Sequence, residues 1–200
     1  LVTVGAIAVL QDASGHSIDI SSSYVTVTVI AWTGSSNYQV LLSPVSTVPN
    51  GSQSAGITLP STSNTILQSI ISGFYLNYGN TDHEVAGIAA SVGVTQNQNT
   101  GYISATATMN DASGNQAENP TATGALIASS SPTPGFVVVP YQGQSSDAVS
   151  INMSTPITAA VSFLTGFKVK YPSSDHYIQT IGAGPNVTNV DSNNSSYART

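Results

Sequence analysis

The chain has 200 residues, with three Lys or Arg against nine Asp or Glu, a formal net charge of −6 and no cysteine. Charged residues make up only 6% of it, so there is no basic footprint for nucleic acid and no disulfide can form. Hydrophobic residues make up 40%, and their Val/Ile/Thr/Tyr runs among Ser, Thr, Asn and Gln predict a folded β protein rather than a disordered one.

The first ten residues carry the strongest pattern. As an extended strand they place Leu1, Ile7 and Val9 on one face and Val2, Val4, Ala6, Ala8 and Leu10 on the other. A strand needs two apolar faces only when it is buried on both sides. Gly5 and the alanines allow close approach of a neighbouring backbone. Burying the six large apolar side chains contributes roughly 9–18 kcal/mol gross, before ordering costs. Two placements satisfy the pattern. The segment can complete its own sheet through an Asp12-Ala13-Ser14-Gly15 turn, or it can insert as a missing strand into a neighbouring subunit, which its terminal position favours. Leu rather than Met at position 1 further predicts a removed leader, a secretory signal peptide being the simplest.

Period-2 patterns then predict strands at residues 18–32, 38–42, 55–59, 85–95, 102–109, 124–128, 136–139, 148–153, 157–171 and 177–181. Residues 65–75 have apolar pairs four apart, as on a helix face that Asn64 would cap. The same residues also make a buried strand, which Gly73 and the β-branched isoleucines favour. Asp-Ala-Ser-Gly recurs at 111–114, and Pro49-Asn50-Gly51 is a further turn. Strands of this length separated by Gly, Pro and Asn clusters predict an all-β sandwich. Residues 129–135, Ser/Pro/Gly-rich, are the best linker, but the remaining stretch is short for a second sandwich, so one domain is expected.

The polar residues suggest little chemistry. Asp82-His83-Glu84 and Asp175-His176 have metal-ligand and acid–base side chains, but neighbours along a strand face opposite ways. They read as exposed loop polars, with no metal site and no cofactor. Gly15-His16-Ser17-Ile18-Asp19 and Gly143-Gln144-Ser145-Ser146-Asp147 lack the second glycine of a hydrolase elbow. No catalytic residue is assigned. A secreted acid-active hydrolase would need carboxylates converging from among Asp82, Glu84, Asp147 and Asp175. Lys168 and Lys170 alternate with Phe167, Val169 and Tyr171, which places both lysines on one strand face. That face reads as solvent-exposed, with an isopeptide crosslink as the alternative.

Five Asn-x-Ser/Thr sequons, at Asn50, Asn152, Asn186, Asn193 and Asn194, predict a secreted glycoprotein with N-linked glycans. No run of about 18 apolar residues is present, so no membrane span is predicted. Acid unfolds proteins largely by neutralising paired carboxylates. With few carboxylates and three basic partners, this chain is expected to be acid-stable.

The two-faced apolar opening, the Cys-free Ser/Thr/Asn-rich β body, the low charge and the sequons together make the chain resemble archaeal thread filament subunits. These are pilin-like proteins polymerised by donor-strand complementation. The resemblance is one of overall character and includes no diagnostic motif. It implies an immunoglobulin-like/pilin-like β-sandwich with an N-terminal donor strand, residues 1–12 serving as donor strand and linker and 13–200 as the head domain. It also implies an extracellular, glycosylated homopolymer of identical subunits, joined head to tail, with a role in cell adhesion or biofilm. The donor-strand residues would be Leu1, Val2, Val4, Gly5, Ala6, Ile7, Ala8, Val9 and Leu10, and the five sequon asparagines would carry glycan. The alternative is a monomeric secreted adhesion or carbohydrate-binding β-sandwich module.

Overall fold

The structure is a computed structural model, and it describes residues 40–42, 46–59, 66–129, 148–152, 163–171, 174–178, 181, 186–191 and 195–199. The described residues contain β-strands and no helix. In chain order the strands are β1 (Val40–Leu42), β2 (Ser46–Pro49), β3 (Ile57–Thr58), β4 (Ile66–Tyr75), β5 (Gly87–Asn97) and β6 (Thr100–Asn110). They continue with β7 (Thr121–Ser129), β8 (Ala148–Asn152), β9 (Gly166–Lys170), β10 (Asn186–Asp191) and β11 (Ser195–Arg199). Residues 66–75, which the sequence left between helix and strand, form β4. The predicted strands at residues 1–10, 18–32 and 136–139 lie outside the described residues.

Two antiparallel sheets form the body. In the first, β7 is central, paired with β4 along one side and with β1 and β2 along the other. In the second, the order is β3-β6-β5-β9. The two sheets pack face to face in the manner of a β-sandwich. A separate antiparallel ladder runs β10-β11-β8. The sequence did not signal β2, β10 or β11, which are rich in Ser, Thr and Asn and lack an apolar alternation.

The longest hairpin shows how sequence sets the inner face. Across β5 and β6, Ile88 pairs with Met109, Ala90 with Ala107, Val92 with Ala105 and Val94 with Ile103. These alternate residues point inward, while Gly87, Ala89 and Ser91 share the outer face. The turn places Gln98 at φ 53°, where a non-glycine residue is uncommon. From the first sheet, Val48, Ala122, Leu126 and Ala128 meet Val92, Ile103, Ala105 and Ala107 in a single core that also contains Leu59.

Small residues set how closely the sheets approach. A methyl on Gly124 of β7 would lie 3.0 Å from the Ile70 carbonyl oxygen and 3.0 Å from a Val92 methyl. One on Gly101 would lie 2.8 Å from Leu126. Backbone groups beyond the end of β9 hold the same place. The Val92 N–H donates to Thr165 O (2.9 Å), the Ile71 N–H donates to Leu164 O (2.7 Å), and the buried Ser69 hydroxyl donates to Val92 O (2.6 Å). Residues 163–165 therefore tie β4 of one sheet to β5 of the other, rather than extending a strand as the 157–171 pattern predicted.

The 177–181 expectation is corrected: described residues there form no strand. His176, just before the segment, bridges Val85, and Tyr177, Ile178 and Ile181 are exposed, so the described residues bury no apolar face there. Pro49-Asn50-Gly51 does turn as expected, with Gly51 at φ 76° and the Ser52 N–H donating to Pro49 O at 3.1 Å.

Gly124→Ala is expected to destabilise the fold by about 1–3 kcal/mol through overpacking. Gly73→Ala, where an added methyl meets nothing within 4 Å, is expected to be near neutral. Urea unfolding of the two variants measures the contrast.

Candidate functional site

The second Asp-Ala-Ser-Gly turn organises a polar nest at the end of β6. Asp111 is buried, and Gly114 takes the φ of 95° that closes the loop. The Asp111 N–H donates to Asn115 O (3.1 Å), its Oδ1 accepts the Asn115 N–H (2.8 Å), and its Oδ2 accepts from Asn115 Nδ2 (2.5 Å). The same Oδ2 lies 3.0 Å from His83 Nδ1, across 28 residues of sequence. His83 Nε2 is 2.9 Å from Thr81 Oγ1, and the Tyr78 ring stacks 4.6 Å from the imidazole.

A second segment closes the nest. The Ala112 N–H donates to Asp175 Oδ2 at 3.0 Å, and Val85 and His176 exchange both backbone hydrogen bonds. His176 Nε2 is 2.8 Å from Ser174 Oγ, and its ring meets that of Tyr171 at 4.5 Å. Residues 78–85, 111–115 and 174–176 therefore converge at one end of the body.

The electrostatics follow from these contacts. The Asn115 side-chain amide, acting against burial, holds the Asp111 carboxyl below its usual range, with the Asn115 backbone N–H and His83 adding to it. Burial first, then the charges of Asp111 and Asp175, push the Tyr78 phenol up to about 12. The Tyr78 hydroxyl is buried and makes no hydrogen bond among the described residues.

Chemically, Thr81, His83 and Asp111 stand in the order hydroxyl, imidazole, carboxylate. Asp111 would fix the histidine tautomer and Thr81 would occupy the other nitrogen. No group of three metal-ligating side chains converges among the described residues. His83 is not the exposed loop polar expected of it: residues 81–84 form no strand, and its side chain is 24% exposed and bonded on both nitrogens. The repeated Asp-Ala-Ser-Gly motif marked the turn, but nothing local pointed to Asn115, Tyr78 or a histidine 28 residues away.

The other sequence-predicted residues are dispersed. The donor-strand residues, Leu1 through Leu10, lie outside the described residues, as do Asn193, Asn194 and Asp147. Asn50 is exposed in the turn after β2, where its Oδ1 accepts the Ala107 N–H at 3.2 Å. Asn152 ends β8 and Asn186 opens β10. The ladder pairs Asn152 with Ser195 and Asn186 with Arg199, so these two asparagines stand at opposite ends of that sheet.

Comparison with known protein families, curated proteins and solved structures finds no match to this chain.

Two titrations test the nest. A raised phenol pKa contributes stability that is complete below the ordinary value of 10.0 and is lost as pH rises toward about 12. Tyr78→Phe, which removes a buried unpaired hydroxyl, is expected to hold or raise Tm and to flatten that alkaline fall. A lowered carboxyl pKa works the other way, contributing stability above the ordinary value of 3.8 that is lost in stronger acid. Asp111→Asn is expected to lower Tm at neutral pH and to weaken its acid dependence. Thermal melts across pH measure both.

Proposed function

We propose that the protein is a structural subunit of an extracellular filament, a pilin-like, immunoglobulin-like sandwich of the archaeal thread kind. It polymerises by donor-strand complementation, with residues 1–10 of one subunit completing the sandwich of the next. The observation that supports this most is the opening segment, apolar on both strand faces, in a chain whose described body is all-β and double-sheeted. Such a segment satisfies its backbone and both faces only inside a sandwich. A head-to-tail contact is heterologous, so it propagates into an open filament rather than closing a dimer. Scarce charge suits acidic surroundings, and the sequons suit a glycosylated, secreted surface with an adhesive or biofilm role.

A second reading rests on the Thr81–His83–Asp111 chain, whose order is that of an acyl-transfer relay. Hydrolysis of an activated ester that Thr81→Ala abolishes would favour it. Equal rates in the variant and the parent would remove it.

Electron microscopy of the intact secreted protein, beside a variant lacking residues 1–10, tests the filament reading. Filaments from the intact chain and folded monomers from the variant are the expected result. Monomers from the intact chain, with an unfolded variant, would mean that the strand completes its own sheet, leaving a monomeric adhesion or carbohydrate-binding module.

A further inference from the structure

We propose that the outer face of the β9-β5-β6 sheet is a binding site for an acidic, uronate-type polysaccharide. The register places two rows across this face. Lys168 stands opposite Ala89, which stands opposite Thr108, and Lys170 opposite Gly87, which stands opposite Asn110. These six residues line a trough of about 370 Å³. One wall is the lysine pair on β9, the other is Thr108 and Asn110 on β6, and the floor between them is a glycine and an alanine. At ordinary strand spacing the β9 and β6 backbones stand about 10 Å apart, and the trough narrows at the Gly87 row, where Lys170 Cβ and Asn110 Oδ1 would lie 3.3 and 3.4 Å from a β-carbon on the glycine.

The charge placement is specific. The chain has three Lys and Arg in all, and two of them stand here on one wall, both exposed. No ion pair among the described residues joins either lysine. A protein of net charge −6 repels polyanions generally, so an acidic chain would be held at this wall rather than over the surface. At the Ala112 end, the Asp175 carboxylate accepts the Ala112 N–H and does not line the trough.

The chemistry of the remaining lining separates a sugar from a peptide. Along Gly87–Ser91, β5 is paired on both sides, so its backbone cannot accept an added strand. Recognition must come from side chains. Thr108 offers a hydroxyl and Asn110 an amide oxygen, its Nδ2 donating to Asp111 O at 3.1 Å, and Tyr171 adds an aromatic ring at the trough's end. Hydroxyls and carboxylates in an extended, ring-built ligand match that set. The inference does not rest on the filament reading, since a monomer would have the same trough.

Calorimetric titration of the full chain with an oligogalacturonate, at about 50 mM salt, tests the site. Binding is expected to weaken by at least about tenfold in Lys168→Gln/Lys170→Gln, with Tm unchanged because both side chains are exposed. Ala89→Leu, which keeps both charges but fills the floor, is expected to lose binding comparably, separating a shaped site from diffuse attraction. Either variant binding as the parent does would overturn the proposal, as would an absence of binding by the parent. So would acetate at equal carboxylate concentration, or a polyglutamate peptide, binding as well as the oligosaccharide.

Discussion

The fold depends on the close approach of two sheets at Val92. Gly124 has little room for a methyl between Ile70 and Val92, and the inner face of β6 places Ala105 and Ala107 between Ile103 and Met109. Glycine and alanine at these positions let the two sheets come close around the larger side chains of Val48, Leu59, Val92, Ile103 and Leu126. The cost is that apolar area per residue is low. Directional bonds make up part of the difference: Ser69, Leu164 and Thr165 place three hydrogen bonds around Val92 and Ile71. In a larger core a one-methyl error relaxes into neighbouring side chains. Here the neighbour on one side is a backbone carbonyl, which cannot move without breaking the ladder.

One end of the sandwich is polar and tied. Between β4 and β5 the chain runs across the body's end, and it is fixed there by Tyr78 and His83 meeting the turn after β6. Asp111 acts as the hub, accepting from Asn115 twice and facing His83 once. Its buried carboxylate is tolerable because neutral amide donors surround it, which costs less than burying an ion pair of full opposite charges. The same segment carries the bridge to His176, so the loops 78–85, 111–115 and 174–176 behave as one clamp.

Much of this sandwich was legible in the amino-acid sequence, and the legible parts share one property. The strands at 87–97 and 100–110 alternate small apolar and polar residues over five or more pairs, and period 2 reports burial on one face directly. β2 was invisible because Pro49 and two hydroxyl residues surround a single buried valine. The expectation at 177–181 failed for the opposite reason: Tyr, Ile and Ile suggested a face, but the described residues there form no strand and those side chains are exposed. The candidate sites depend on pairings between distant segments. His83 with Asp111, and Lys170 with Gly87 and Asn110, are products of register, which composition does not encode. What the sequence did contain was the alternation of Lys168 and Lys170, which placed them together on one face before any partner strand was known.

The nest also bears on how the fold responds to acid. Among the described residues Asp111 is the one buried carboxylate, and its lowered pKa is due first to an amide, which does not titrate. Elsewhere most of the polar surface is hydroxyl and amide, whose hydrogen bonds do not change with pH. Among the described residues with a known burial, the one buried carboxylate is thus held first by an amide that acid leaves alone.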